Sequence, residues 1–280
     1  MVRAVRIAYF EPIGGAAGDM IIGSLLHVGL PLEDLQRELA KLPLGGYQLR
    51  CERVEKGGFD ATQLFVEVEG QHHHDQDRKS LRPGRSVDDV VELISKSGLD
   101  ESVKQTSLRI FEALAAASAQ AESLPTRELR FDSVGVVDSV VDVVGTALGL
   151  QLLRVQQVYC SPLPIFYGTL VTGHGTLAIP APATLELIAS VGAPVVRTSV
   201  RNVQVTATGA AILTTVATFR EPVMAVEREG YGAGEANLAI PNVVRVSLGN
   251  AVQPELFTRR SARPTNNSGH TGAEERNASD

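Results

Sequence analysis

The sequence predicts an α/β or α+β fold in which a mixed sheet is flanked by helices. Short runs of alternating apolar and polar residues, typical of strands, are interleaved along the 280 residues with apolar residues at helical spacing. There is no repeat of fixed period, and 44% hydrophobic with 21% charged residues is the composition of a globular chain with a full core. This composition excludes a wholly disordered, collagen-like or disulfide-based protein.

The first half of the chain begins with a predicted strand in which Val5, Ile7 and Tyr9 alternate with other residues. A glycine loop over 14–18 follows, and then a helix for which Asp19 is the predicted cap. The apolar spacing next predicts a helix over 31–42, strands over 47–55 and 61–68, and helices over 87–97 and 101–123.

The second half continues the alternation of helices and strands. A helix begins near Asp138 and runs to Leu153, and a strand covers 157–161. The remaining predicted elements are a hairpin around 168–175, a helix over 183–190, a strand over 200–206, a helix over 209–217, and closing strands over 223–229 and 243–248. We therefore expect one domain over 1–250, with two sub-domains divided near the polar segment 70–86 as an open alternative, and a disordered tail over 251–280.

Charge and composition narrow the function classes. The formal net charge is −6, Trp is absent and aromatic residues make up 5%, so nucleic acid is not an expected partner. No uninterrupted apolar run reaches the roughly 18 residues of a membrane helix, and the N-terminal apolar stretch is too short for a signal peptide. Cys51 and Cys160 form no CxxC motif. We expect a cytoplasmic protein that does not engage a membrane.

Two glycine-containing segments are candidate anion-binding sites. Gly14, Gly15 and Gly18 lie between a predicted strand and helix, and Thr208 and Gly209 open a later helix. Glycines let backbone N–H groups approach a phosphate, and a helix N-terminus favours negative charge. The first segment matches neither GxGxxG nor the Gly-Lys-Ser/Thr ending of a phosphate loop. A tight strand-to-helix turn and ordinary helix capping explain the same residues, so both interpretations stay open.

Acidic and imidazole side chains are the candidate metal ligands. Asp138 and Asp142 are four residues apart on a predicted helix, so their like charges project from one face and require a cation or a basic partner. His174 lies between two glycines in the predicted hairpin, where it is free to act as a ligand or an acid–base group. The alternatives are that Asp138 only caps its helix and that His174 has no role.

The segment His72-His73-His74 is a further metal candidate. Neutral imidazole suits nickel, copper and zinc, but adjacent residues of a regular element cannot all converge on one ion. Loose metal recruitment and a solvated polar loop are both consistent with this segment.

Several stretches, taken in order, resemble the LarC-type nickel-insertion proteins. The resemblance spans Ile7 to about Gly249 and covers nearly all of the predicted ordered chain. The stretches that carry it are Tyr9-Phe10, Gly18-Asp19-Met20, VGVVDSVVDVVG (134–145), SPLP (161–164), His174-Gly175, PAPATLE (180–186), TGAAIL (208–213), GYGAG (230–234) and IPNV (240–243).

The resemblance implies a role in maturing the nickel-pincer nucleotide cofactor of lactate racemase and related racemases and epimerases. Members of the family insert Ni(II) into pyridinium-3,5-bisthiocarboxylic acid mononucleotide, forming nickel–sulfur and nickel–carbon bonds with consumption of CTP, a lyase or cyclometallase reaction that also uses a divalent cation. The implied catalytic residues are Asp19, Asp138 and His174. The implied metal ligands are His72, His73, His74, Asp138, Asp142 and His174, and the implied nucleotide-binding residues are Gly14, Gly15, Gly18, Thr208 and Gly209.

This chain departs from the family pattern in three places. Family members carry a His-Phe-His-Glu-like stretch where this chain has Arg130-Phe131-Asp132-Ser133, and the histidine-rich segment is reduced to three residues. Longer members continue with a further domain tied to CTP and metal use. Either a separate subunit supplies that domain, or this chain has a narrower role such as metal carriage or product handling. The rival hypothesis is a non-catalytic descendant that binds a nucleotide cofactor or a metal. Self-association into a homo-oligomer stays open.

Overall fold

The computed structural model describes residues 5–68, 84–131, 135–172 and 175–252. Within these ranges the chain forms seven α-helices and fifteen strands, with a short 3-10 helix over Thr126–Glu128. The helices are α1 (Gly18–His27), α2 (Leu32–Leu39), α3 (Val87–Ser95), α4 (Glu101–Ala121), α5 (Gly135–Leu152), α6 (Pro182–Val191) and α7 (Ala207–Val216). The strands are β1 (Arg6–Pro12), β2 (Gly15–Ala16), β3 (Tyr47–Lys56), β4 (Phe59–Val68), β5 (Arg85–Ser86), β6 (Arg130–Phe131), β7 (Gln157–Cys160), β8 (Leu163–Ile165), β9 (Gly168–Thr172), β10 (Gly175–Ile179), β11 (Val195–Arg197), β12 (Gln204–Val205), β13 (Thr218–Phe219), β14 (Met224–Ala233) and β15 (Val243–Ala251).

A seven-stranded mixed sheet organises the molecule, with strand order β13-β7-β1-β15-β14-β4-β3. The central strand β1 runs parallel to β7 and antiparallel to β15. Strand β14 is antiparallel to β15 and parallel to β4, which forms a hairpin with β3. The predicted fold class, a mixed sheet with flanking helices, is confirmed.

The helices cover one face of this sheet. Side chains alternate between the two faces of a strand, so Phe10 and its partner Val246 point to the same side, where both are fully buried. The next pair along, Glu11 and Arg245, points to the other side and forms a two-bond ion pair at 2.7 and 2.8 Å. Helix α1 packs across β14, β4 and β15, and α5 packs on α1.

Helix α1 approaches the sheet unusually closely because glycines face each other there. A Cβ atom added at Gly232 would lie 1.7 Å from the carbonyl oxygen of Met20, and one added at Gly23 would lie 2.6 Å from that of Thr62. Any larger residue would push the helix off the sheet. These glycines therefore fix where the N-terminus of α1 lies.

The predicted cap of α1 is wrong, and the helix predicted to begin near Asp138 begins three residues earlier. Helix α1 begins at Gly18 after an extended Ala17, so Asp19 lies in the first turn instead of capping the helix. Helix α5 begins at Gly135, which places Asp138 in the first turn as well and excludes the capping interpretation of that residue. Both aspartates thus belong to the first turn of their helices, and the Asp19 carboxylate accepts a hydrogen bond from the Met20 backbone.

The predicted strand over 200–206 is also shorter than expected. Asn202 has a positive φ of 62°, and the chain turns there before β12. Only Gln204–Val205 forms a strand, which pairs with β2. Strand β11 (Val195–Arg197), which was not predicted, pairs with β8.

Helix α5 is long and apolar enough, by length and composition, to cross a membrane, contrary to the expectation from uninterrupted apolar runs. Its 18 residues are 72% buried inside the molecule, as in the core helix of a globular protein. The segment 69–83 and the tail 253–280 lie outside the described residues. The sub-domain division and the disordered tail therefore stay predictions.

Candidate functional site

A cavity of about 990 Å³ lies where three helices begin. The first turns of α1, α5 and α7 meet there, so the positive ends of three helix dipoles converge on one space. The β3–β4 hairpin and the loop between β14 and β15 complete the wall. The polar lining residues include Asp19, Gln48, Arg50, Glu67, Asp138, Asp142, Asn202, Gln204, Thr206, Thr208, Glu235 and Asn242.

Asp142 is the deepest acidic residue of this cavity. Only 5% of its surface is exposed, and its Oδ1 atom has no hydrogen-bond partner in the described part of the chain. A Cβ atom added at Gly18 would lie 2.3 Å from the Asp142 carboxyl carbon. Glycine at position 18 therefore makes room for this carboxylate, and the buried unpartnered oxygen requires a proton, a cation or a ligand donor.

Burial and neighbouring carboxylates raise the pKa values of all three aspartates. Burial, followed by the charges of Asp138 and Glu235, raises the pKa of Asp19 to about 7, against the opposing hydrogen bond from the Met20 backbone. Burial, followed by the charges of Asp138 and Asp19, raises the pKa of Asp142 well above its usual range. Burial and then Glu235 also raise the pKa of Asp138, although this residue keeps contact with solvent.

No basic side chain neutralises these carboxylates among the residues that the structure describes. Arg50 lines the cavity, but its guanidinium is held by Glu67 and Glu52 and lies 4.2 Å from the Phe65 ring centre. Within the same described ranges, no three carboxylate, imidazole or thiol groups form a ready-made metal site. A cation in this cavity therefore needs donors besides the aspartates, such as a ligand atom or water.

Only some of the predicted anion-binding residues lie at the cavity. Gly14, Gly18 and Thr208 line the cavity, whereas Gly15 and Gly209 are not among the lining residues. Gly14 packs its Cα against the Asn242 backbone, where a Cβ would lie 2.5 Å away.

Gly15 and Gly209 have packing roles. Gly15 has a positive φ of 123°, and a Cβ there would lie 2.1 Å from the Gln204 carbonyl oxygen. A Cβ on Gly209 would lie 2.4 Å from the Ala16 carbonyl oxygen, and the Gly209 N–H donates to the capping hydroxyl of Thr206 at 3.0 Å. The tight-turn and capping interpretations thus account for these two glycines.

The predicted histidine ligands lie outside the described residues. This holds for His72, His73 and His74 and for His174, so the structure brings Asp19, Asp138 and Asp142 together and does not place these four imidazoles. In the segment that departs from the family pattern, the Phe131 ring lies 5.2 Å from that of Phe111, and Asp132 and Ser133 are outside the described ranges.

Sequence reasoning missed Glu235 and Asn242. Glu235 directly follows the GYGAG stretch and lines the cavity, and Asn242 donates from its side chain to the Ala236 carbonyl at 2.9 Å. No spacing rule connects these residues to the aspartates, because they meet only through the sheet order. The one signal was that both lie in or beside stretches that resemble the family.

The fold and cavity define an α/β protein with an acidic, helix-N-terminal ligand cavity. The chain belongs to the nickel insertion protein family, whose model matches residues 8–275. The match includes the whole of the cavity lining and extends past the described residues.

Curated relatives with nickel-insertion names are similar over most of the chain. A protein of Thermomicrobium roseum is 42% identical over 248 residues, which is 88% of this chain and 59% of the relative. Relatives from Dictyoglomus thermophilum and Roseiflexus castenholzii are 34% and 40% identical over 94% and 91% of this chain, which is 65% and 62% of their own lengths. The chain thus spans about three fifths of these relatives. No solved structure matches it.

Proposed function

We propose that this chain binds Ni(II) in the aspartate cavity for insertion into pyridinium-3,5-bisthiocarboxylic acid mononucleotide, in a reaction that consumes CTP. The observation that carries the proposal is the buried Asp142 carboxylate with an unpartnered oxygen, facing a cavity that Asp19 and Asp138 also line. Membership of the nickel insertion family supports Ni(II) as the ion in this proposal.

Carboxylate ligands suit a nickel ion that must be transferred to an acceptor. Carboxylate oxygens hold Ni(II) less firmly than imidazole or thiolate ligands do. A nickel ion resting on Asp138 and Asp142 can therefore move to the sulfur atoms of a bound acceptor. We propose that His174 completes the ligand set and that His72, His73 and His74 recruit the ion.

The nucleotide end of the acceptor is proposed to bind at the start of α7. Thr206 and Thr208 line the cavity there, and a helix N-terminus favours a phosphate group. This position would direct the acceptor ring toward the aspartates.

Asp19 is proposed to accept a proton in the last step. Replacing a ring C–H bond by a C–Ni bond releases one proton, while the nickel ion takes the electron pair of the broken bond. A carboxylate with a pKa of about 7 can take up that proton near neutral pH and release it to solvent.

Nickel binding by the untagged chain tests this proposal. Isothermal titration at pH 8 with Ni(II) should give one cavity site that Asp142→Asn weakens by roughly tenfold or more, since each lost charge-assisted contact is worth about 1.5 kcal/mol or more. Asp88→Asn, an exposed first-turn aspartate of α3 outside the cavity, is the matched control and should bind like the wild type.

A variant with His72, His73 and His74 all replaced by alanine distinguishes nickel recruitment by these histidines from nickel binding in the cavity. It should keep the cavity site and lose only weaker, additional binding of Ni(II). No nickel binding by the wild type, or equal binding by Asp142→Asn, contradicts the proposal. A further assay adds CTP, the acceptor and the part of the relatives that this chain does not span. If nickel binds but no metallated product forms in this assay, the result favours the non-catalytic alternative.

A further inference from the structure

Glu235 lies in the loop between β14 and β15 and lines the aspartate cavity. Its surface is exposed to solvent. The two strands are paired up to Ala233 and Val243, so both ends of the loop are fixed by the sheet. The position of Glu235 at the edge of the cavity is thus set by the fold.

The loop is held from two sides. Lys56 donates from Nζ to the Glu235 carbonyl oxygen at 2.9 Å and to Asn237 Oδ1 at 3.0 Å. Asn242 donates to the Ala236 carbonyl and its own carbonyl accepts from the Gly234 N–H, both at 2.9 Å. Lys56 therefore holds the loop through a carbonyl and an amide oxygen, and the Glu235 carboxylate has no ion pair in the described part of the chain.

Besides Glu67, which pairs with Arg50, four carboxylates line the cavity, and they lie at different depths. Glu235 and Asp138 are exposed, Asp19 is half-buried and Asp142 is buried with one unpartnered oxygen. The charge of Glu235 raises the pKa values of Asp19 and Asp138. The charges that raise the pKa of Asp142 are those of Asp138 and Asp19. The carboxylates therefore form a series from solvent to the interior.

We propose that Glu235 captures the divalent cation from solvent and passes it inward, without being one of its final ligands. An unpaired carboxylate at the mouth of a cavity concentrates cations and speeds their entry. Because the final ligands are the inner aspartates, Glu235 speeds release of the ion by the same route. This inference rests on the proposed function, since it assigns the entry step of the same site.

Stopped-flow mixing of the full chain with Ni(II) tests the inference. In Glu235→Gln we expect the association rate to fall roughly 3- to 10-fold, with a shallower dependence on salt, because the attraction at the mouth is lost. The dissociation rate should fall as well, so that the dissociation constant changes less than the association rate. Glu33→Gln, an exposed and unpaired glutamate in the first turn of α2, is the control.

The outcomes separate the two proposals. A wild type that binds Ni(II), together with equal rates in Glu235→Gln and Glu33→Gln, overturns only the entry role. A larger dissociation constant with an unchanged association rate also overturns the entry role, because Glu235 would then be a final ligand. Failure of the wild type to bind Ni(II) overturns the proposed function and the entry role together.

Discussion

Asp142 keeps its carboxylate in the cavity only because residue 18 has no side chain. The pair could not be derived from the sequence, in which Gly18 was predicted as a phosphate contact and Asp142 as one of two like charges on a helix face. The spacing of Asp138 and Asp142 did predict that both project from one side of α5, and both line the cavity. What spacing could not predict was that Gly18 of α1 would cover one of them.

Gly18→Ala should move or expel the Asp142 carboxylate. The new Cβ would lie 2.3 Å from its carboxyl carbon, so we expect a loss of stability of about 1–3 kcal/mol and weakened nickel binding. Gly45→Ala, at a glycine with no atom within 4 Å of the added Cβ, is the matched control. Chemical denaturation and titration with Ni(II) measure both effects, and nickel binding by Gly18→Ala that equals the control would show that the carboxylate is not needed.

The raised pKa of Asp19 predicts a pH-dependent stability. Burial and neighbouring charges raise it from 3.8 to about 7, so between these pH values the folded chain holds a proton that the unfolded chain has released. This contribution to stability is present at low pH and is lost as the pH rises through 7.

Asp19→Asn removes the charge that becomes costly at high pH. We therefore expect the variant to be more stable than the wild type at pH 8 by roughly 1–3 kcal/mol, and the difference to shrink toward pH 5. Thermal unfolding at both pH values measures the difference. A constant difference would mean that Asp19 titrates alike in the folded and unfolded chain.

At the scale of elements, apolar spacing predicted each of the longer helices to within a few residues. The predicted cap of α1 was wrong, because Asp19 occupies the first turn and an extended Ala17 precedes the helix without any side-chain cap. Helix α5 begins three residues before Asp138, which excludes the open alternative that Asp138 caps it. Both differences concern residues that line the cavity.

Local sequence patterns could not predict that three helices begin at the same cavity. Helices α1, α5 and α7 meet at the cavity because β1 and β7 are adjacent in the sheet and because β2 pairs with β12 just before α1 and α7. These pairings join segments far apart in the chain. Of the predicted anion-binding elements, the start of α7 keeps its place in the cavity through Thr206 and Thr208.

At the scale of the whole molecule, membership of the nickel insertion family and the acidic cavity are consistent with each other. The cavity is lined by acidic residues from both halves of the chain, which explains why no short motif identified it. The chain spans about three fifths of its curated relatives, so the steps that we propose to use CTP and the acceptor need not all take place in this cavity.

The position of the nickel ion among Asp19, Asp138 and Asp142 can be observed directly. Anomalous scattering at the nickel absorption edge, from crystals of the untagged chain soaked in Ni(II), locates the ion. We expect an anomalous peak in the cavity within coordination distance of the Asp142 carboxylate, and its loss in Asp142→Asn. Nickel found solely at His72, His73 and His74, with the cavity empty, would show that the ion does not bind among the aspartates.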